Sequence, residues 1–379
     1  MGTVLTILIA VLVFGFLIFI HELGHYVAAR IFKVTITEFS IGMGPRIFSH
    51  TSKKTGIRYS IALFPIGGFV AMAGENGDDD TSAPLHSGED TPAVYRDTGY
   101  TYATDPNRFD KKPAWQRFII TAAGATVNIV AGFLAMIIVG SAITLGSTTV
   151  GSYELDDGTP LQEYLGYDIT TSTVLQVDDE IIRVNGKRVR IYEELSYEIM
   201  RNGYEPVELT VIRDGEEIII PNVAFPRVEQ QGQTFGAIDF RVRGIRDKGF
   251  GDVMSYTWHN SWLIVRMVWE SIFDLITGRY TFAALSGPVG ISSAIGDAAS
   301  AGFISLLNMV TVISINLGVM NLLPIPALDG GRLITVLVEM ITGKRVPPKI
   351  EGMINAIGLV LLLGLSVVIL VKDVIQLII

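Results

Sequence analysis

Ile20-His21-Glu22-Leu23-Gly24-His25 closes an apolar run that begins near Val4. On a helix, residues four apart share a face, so His21 and His25 point the same way with Glu22 beside the first. This is the H-E-x-x-H spacing in which two imidazoles hold zinc and the glutamate serves as general base. The setting sharpens the reading. Ionisable side chains in a membrane-spanning helix each cost roughly 2.5–3.5 kcal/mol, so three within five residues need a compensating partner such as a metal. The bland alternative is a hydrogen-bonded histidine pair at a helix end.

Outward from that stretch the chain stays apolar. Of 379 residues, 49% are hydrophobic, and this composition marks a polytopic α-helical membrane protein. A net charge of −9 without a basic face argues against nucleic acid as a partner. The sequence has no cysteine, which removes disulfides, thiolate nucleophiles and thiolate metal ligands together. Any metal must then be held by His, Asp or Glu. Residues 4–20 resemble a signal peptide in hydrophobicity, yet no positive charge precedes them and no small-residue cleavage site follows, so they read as the first span.

Residues 1–73 contain that span, about 3 to 30, whose trailing Arg30 and Lys33 place its C-terminal end at the cytoplasmic face. A loop is expected over Phe39-Ser40-Ile41-Gly42-Met43-Gly44-Pro45. Tyr59 to Val70 is apolar but broken by Pro65, Gly67 and Gly68; it is expected to be a membrane-associated strand or re-entrant β-hairpin. Residues 74–115 read as an acidic, flexible cytoplasmic loop with Asp78-Asp79-Asp80, and His86 there, like His50, is an ordinary surface histidine. Lys111, Lys112 and Arg117 introduce the second span, within 116–148. Its Ala122-Ala123-Gly124-Ala125 lets helices approach closely, and Asn128 is assigned to packing.

Residues 149–228 alternate in hydrophobicity and carry recurring turn residues, as an inserted α+β domain requires. Val174 to Gly186 reads as two strands and an Asn-Gly hairpin turn; residues 191–202 read as a helix with Leu195, Ile199 and Met200 on one side. Residues 207–212 and 217–220 read as strands around Arg213-Asp214-Gly215. Residues 229–302 hold a linker and an amphipathic helix whose Trp258, Trp262 and Trp269 suit a bilayer interface, with His259 as an interfacial polar residue. A third span, about 303 to 323, opens residues 303–345, and a fourth, about 354 to 377, fills residues 346–379. Arg332, Lys344, Arg345 and Lys349 put the loop between them on the cytoplasmic side.

With four spans, the C-terminal ends of the first and third reach the same leaflet, which brings Asp329 to the level of His21 and His25. A shared metal removes the burial penalty of all three, and two histidines with one carboxylate leave a fourth position open, the catalytic pattern for zinc. Glu22 would take a proton from the attacking water and deliver it to the leaving amine. Pro324 and Pro326 forbid regular helix before Asp329. Asn316 and Asn321 could hydrogen-bond an unwound substrate or pack helices, and Gly330 and Gly331 allow a turn or close approach.

His21-Glu22-Leu23-Gly24-His25 paired with Asn321-Leu322-Leu323-Pro324-Ile325-Pro326-Ala327-Leu328-Asp329-Gly330-Gly331 resembles the site-2 protease family of intramembrane zinc metalloproteases, over nearly the whole chain. Asp179 to Val189 is similar to part of a PDZ domain, although that family has Gly where Asp178 stands. One such domain between the second and third spans looks like the bacterial branch that includes the RseP type. The resemblance implies a multi-pass protein of the cell membrane, with the active site near the cytoplasmic side and the PDZ-like domain outside as a size filter. It implies cleavage within the transmembrane segment of a single-span protein, such as a pre-cleaved anti-sigma factor. It assigns His21, His25 and Asp329 to zinc, Glu22 to catalysis, and Asn316, Asn321, Gly67, Gly68 and Phe69 to substrate binding, the last three as a β-edge.

Two rival classes remain at this stage. A non-catalytic zinc-containing adaptor would bind peptides through the β-rich domain, but a structural metal site has no need of Glu22. A proton-relay transporter would also bury His, Glu and Asp, but it predicts no stoichiometric zinc and an inverted repeat that the sequence lacks.

Overall fold

The computed structural model describes residues 2–75, 105–230, 233–245, 247–279 and 287–378. Asp78-Asp79-Asp80, His86 and most of the expected acidic loop lie outside the described residues. In chain order the elements are α1 (Thr3–Ile31), β1 (Ile36–Thr51), β2 (Arg58–Met72), α2 (Ala114–Ala142), β3 (Leu145–Ser152), α3 (Leu161–Leu165), β4 (Glu180–Val184) and β5 (Lys187–Arg188). There follow α4 (Tyr192–Asn202), β6 (Val207–Arg213), β7 (Glu216–Val223), β8 (Arg227–Gln230), β9 (Gln233–Gly236), β10 (Arg241–Ile245) and α5 (Phe250–Ile276). The chain ends in α6 (Pro288–Ala301), α7 (Phe303–Leu322), α8 (Asp329–Thr342) and α9 (Pro348–Ile378). Two compact units result, Met1–Gly132 with Ser286–Ile379, and Phe133–Leu285.

In the first unit α1, α2, α7 and α9 are long and apolar enough to cross a bilayer. Helix α1 buries Ala10, Val13, Leu17, His21, Gly24 and Ala28, a stripe at helical spacing, while Val4, Leu8, Leu12 and Phe16 stay exposed on other sides. A helix apolar all round gains nothing from water on its outer face, so its sequence suits a lipid surround. Ile295 of α6 packs onto Ala10, Val13 and Leu17. The crossings on α2 are close: a Cβ at Gly24 would lie 2.6 Å from the Ala123 carbonyl, and one at Gly318 of α7 would lie 2.7 Å from that of Ala125. Small residues permit this approach, as the sequence implied.

Strands β1 and β2 are each long enough to be used twice. Phe39 pairs with both Val70 and Tyr59, and Ser40 with both Phe69 and Ser60, so the two strands fold into four rows with residues 68–72 at an outer edge; the outer pairs run antiparallel, while residues 38–41 run alongside 58–61 in the same sense. The loop expected over Phe39–Pro45 is therefore strand, bent where Gly42 (φ 87°) and Gly44 (φ 92°) take left-handed backbone. Glycines that read as loop in sequence serve here as the corner of a hairpin. Glu38, buried, clamps the fold-back: Arg46 donates to both its oxygens at 2.9 and 2.8 Å, and Ser60 donates at 2.6 Å. Burial raises its pKa, but the Arg46 and Ser60 hydrogen bonds outweigh that and hold it below the ordinary carboxylate value.

The second unit is built on a sheet of order β10-β3-β4-β6-β7, with β5 paired to β4. Val150, Ile181, Val184, Leu195, Ile199, Leu209 and Val211 form its core. Asn185 and Gly186 both take positive φ, the type I′ turn their identities foretold, and so do Asp214 and Gly215. Two expectations fail. Val174–Val177 is not a strand, because Thr171–Thr173 form a 3-10 turn and the Asp179 carboxylate accepts from the Gln176 N–H at 2.8 Å, curling the chain. Met200 is 38% exposed while Leu195 and Ile199 are sealed, so it lies off the buried face of α4. Helix α5 leaves Trp258, Trp262 and Trp269 exposed. An adjoining side meets α4 through ion pairs from Arg201 to Glu270 and Asp274, and from Arg266 to Glu198.

Candidate metal centre

His21 and His25 sit on successive turns of α1, and their Nε2 atoms are 3.2 Å apart. Asp329 Oδ2 lies 3.1 Å from the first and 3.2 Å from the second. Three ligands at zinc's usual 2.0–2.2 Å bond lengths in tetrahedral array would be about 3.3 Å from one another. The triangle is thus the right size for one ion. The far side of each ring supports this. His25 Nδ1–H donates to the Ile120 carbonyl at 2.9 Å, so its Nε2 lone pair faces the triangle. His21 Nδ1 is 3.5 Å from the Asn128 amide nitrogen, while Asn128 Oδ1, fully buried, has no partner. Turning that amide by half a revolution lets Oδ1 accept the Nδ1 proton, which satisfies the orphan and aims His21 Nε2 at the same point.

Backbone geometry delivers the third candidate ligand. After α7 the prolines end the helix, and Ile325 N–H donates to Leu323 O at 2.7 Å in a tight turn. Ala327 adopts φ 72°, and its N–H donates to Asn355 Oδ1 of α9 at 3.2 Å. Gly331 then packs so closely on this turn that a Cβ would sit 2.7 Å from the Ile325 carbonyl. Asp329 emerges as the first residue of α8, its carboxylate half-buried. On the other side Gly124 of α2 faces both imidazoles, and a Cβ there would lie 2.8 Å from His21 Nε2.

A cavity of about 400 Å³ adjoins the triangle, walled by Glu22, by Gly68, Phe69, Val70 and Met72 of the β2 edge, and by Glu75 and Arg332. Gly68 lies against Glu22, whose Cγ would be 2.9 Å from an added Cβ. The structure therefore brings together His21, Glu22, His25, Asp329, Gly68 and Phe69. Gly67 is one residue beyond the lining, and Asn316 and Asn321 lie on α7 outside it. His259 Nδ1–H donates to the Ser255 carbonyl at 2.8 Å on α5, and His50 is exposed on β1. Asn128, Gly124, Glu75, Arg332 and Asn355 were not picked out as site residues from sequence. For Asn128 the signal was there: an isolated amide, about three turns past Arg117, in an apolar run beside the helix it packs on.

Two imidazoles and a carboxylate converging beside a helical glutamate and an open cavity define a metal hydrolase. The sequence model of peptidase family M50 matches residues 9–365. The chain is 33% identical to a Clostridium acetobutylicum protein assigned to the zinc metalloproteases, over 97% of both chains. It is 31% identical to the zinc metalloprotease RasP of Geobacillus kaustophilus over 98% of each, and 27% identical to the regulator of sigma-W protease RasP of Bacillus subtilis over 97% and 98%. The chain belongs to peptidase family M50, the site-2 proteases, and is a zinc metalloprotease.

Proposed function

We propose that this enzyme cuts a single-span membrane protein within its transmembrane segment, with zinc held by His21, His25 and Asp329. The observation that carries the reading is the convergence of Asp329 on the α1 histidines, at 3.1 and 3.2 Å, beside a cavity edged by β2. Zinc at that point supplies Lewis acidity toward the scissile carbonyl and makes water nucleophilic near neutral pH. Glu22, on the cavity side of the first histidine, accepts the proton of the attacking water and passes it to the leaving nitrogen. The outer edge of β2 takes the unwound substrate as an added strand at Gly68 and Phe69, with Gly67 at the bend. Asn316 and Asn321 act in substrate handling from α7.

Helices α1, α2, α7 and α9 span the cell membrane, and the positive residues after α1, before α2 and after α8 put the metal centre near the cytoplasmic side. Residues 149–228 of the second unit then form an extracytoplasmic, PDZ-like domain that excludes bulky ectodomains, and α5 lies at the interface by its tryptophans. A trimmed anti-sigma factor fits these requirements as substrate.

Zinc content and cleavage of a model transmembrane peptide, measured on purified full-length protein, test the reading. Glu22→Gln should keep its zinc and lose activity by about 10²–10⁴-fold. Asp329→Ala should lose both. Cleavage at the wild-type rate by Glu22→Gln removes the mechanism.

A further inference from the structure

Thr37 donates its hydroxyl to the Ala71 carbonyl at 3.1 Å, so the backbone of Ala71 faces β1. Backbone groups alternate along a strand, so those of Gly68, Val70 and Met72 face the outer edge, away from β1. These are the rungs an added strand would use. The Met72 rung is already occupied: its N–H donates to Glu75 Oε2 at 3.3 Å, and its carbonyl accepts from the Glu75 N–H at 3.3 Å. Glu75 is held in turn by an ion pair with Arg332, one helical turn beyond Asp329 on α8. The Glu75 side chain is 15% exposed, and the charges facing Arg332 also include Glu351 and Asp329.

We propose that the Glu75–Arg332 pair is a register stop, which limits the substrate strand to the rungs at Gly68 and Val70 and so fixes the bond presented to the metal. The inference rests on the reading that substrate adds to the β2 edge. It ties the end of that edge to the helix that begins with the third ligand, so strand register and metal position share one fastening. Because side chains alternate along a strand, a substrate that gains the Met72 rung must slide by two residues to keep the same faces inward.

The test maps every bond cut by zinc-loaded, full-length enzyme in a model transmembrane peptide, by mass spectrometry. Wild type should cut one main bond. Glu75→Ala, which frees the rung, should add cleavage two residues away until the second bond takes at least about a third of the product; Arg332→Gln should do the same more weakly, and Arg332→Lys should restore the single bond. Should Glu75→Ala bind no zinc, Arg332→Gln carries the decision. Cleavage confined to the wild-type bond in the zinc-bound variants, or displaced by one residue, overturns the stop. A substrate with an ester in place of the amide facing Val70 tests the underlying reading separately. A loss of about fivefold to tenfold in kcat/KM supports strand addition whatever Glu75 does, and full activity ends both claims.

Discussion

Arg201, Arg266, Glu198, Glu270 and Asp274 in the second unit, and His21, His25 and Asp329 in the first, are both clusters of ionisable side chains taken out of water. In the second unit each acid faces a base: Arg201 pairs with Glu270 and with Asp274 at 2.8 Å, and Arg266 with Glu198 at 2.8 Å. Tyr197 adds a hydrogen bond to Glu270 at 2.8 Å. Lys187 meets Glu198 and Glu270 at 3.5 Å, so three bases balance three acids, and the cluster fastens α4 to α5. In the first unit three lone-pair donors converge on one point, and Arg332, the cation one turn along α8 from Asp329, is ion-paired with Glu75. Buried charge that cancels within the protein is architecture; buried donors that agree only on an external cation are a site.

The contrast is broken most severely by filling the point of convergence. Gly124→Ala places a methyl group against His21 Nε2 and His25, and neither imidazole can retreat, since Ile120 holds one and α2 crowds both. Zinc content should fall more than about tenfold and cleavage with it, measured by elemental analysis of the purified protein. Gly15→Ala is the control, because a Cβ there meets nothing within 4 Å. Stoichiometric zinc in Gly124→Ala would mean that the ion does not sit between these groups.

Removing one partner of the complete cluster should cost stability without touching the metal. Arg201→Ala strands the buried Asp274 and leaves Glu270 to Tyr197, Lys187 and Arg266, and breaking a buried pair in this way costs about 3–5 kcal/mol. Thermal unfolding of the full chain should show the loss, with zinc content unchanged. Acid probes the same cluster. Burial pushes the Glu270 carboxyl up, but the Tyr197 hydrogen bond and the charges of Lys187, Arg201 and Arg266 outweigh it and leave its pKa lowered. A depressed carboxylate contributes stability above its unfolded pKa and loses it as pH falls through the folded value. Wild type should therefore lose stability below the ordinary carboxylate range, and Arg201→Ala should lose less over the same interval. Equal acid sensitivity in the two proteins would separate Glu270 from that loss.

How far each cluster could be read from sequence follows from how far apart its members lie along the chain. His21, Glu22 and His25 are local, and helical periodicity is enough to align them. Asp329 is distant, yet the spans fix which leaflet it reaches, so the trio was accessible through topology. The four apolar helices were legible because length and hydropathy decide them. The first half of the β1–β2 fold was not, because Gly42-Met43-Gly44-Pro45 has turn composition whether it ends a strand or bends one. The Glu75–Arg332 pair joins positions 257 apart with no pattern to connect them, and each charge alone reads as a solvated loop or helix residue. The Arg201 cluster was hidden for the same reason: a charged residue on an amphipathic helix gives no sign of the helix it will face.

Asn128 reads as a packing residue by sequence, and the smallest of these effects decides whether it remains one. As a packing residue it needs only its volume, and Ser314 Oγ already donates to its backbone carbonyl at 2.8 Å to hold the helices together. As a positioning residue it needs an acceptor toward His21 Nδ1, because a ligating imidazole is oriented by the hydrogen bond on its other nitrogen. Asn128→Leu keeps the volume and removes the acceptor; Asn128→Asp keeps both. Competition with a zinc chelator should show affinity about 10–100-fold weaker in Asn128→Leu and largely kept in Asn128→Asp. Peptide cleavage at saturating zinc should change far less than zinc affinity, since the amide acts through His21 and not on substrate. Wild-type zinc affinity in Asn128→Leu would return the residue to packing and leave His21 oriented by α1 alone.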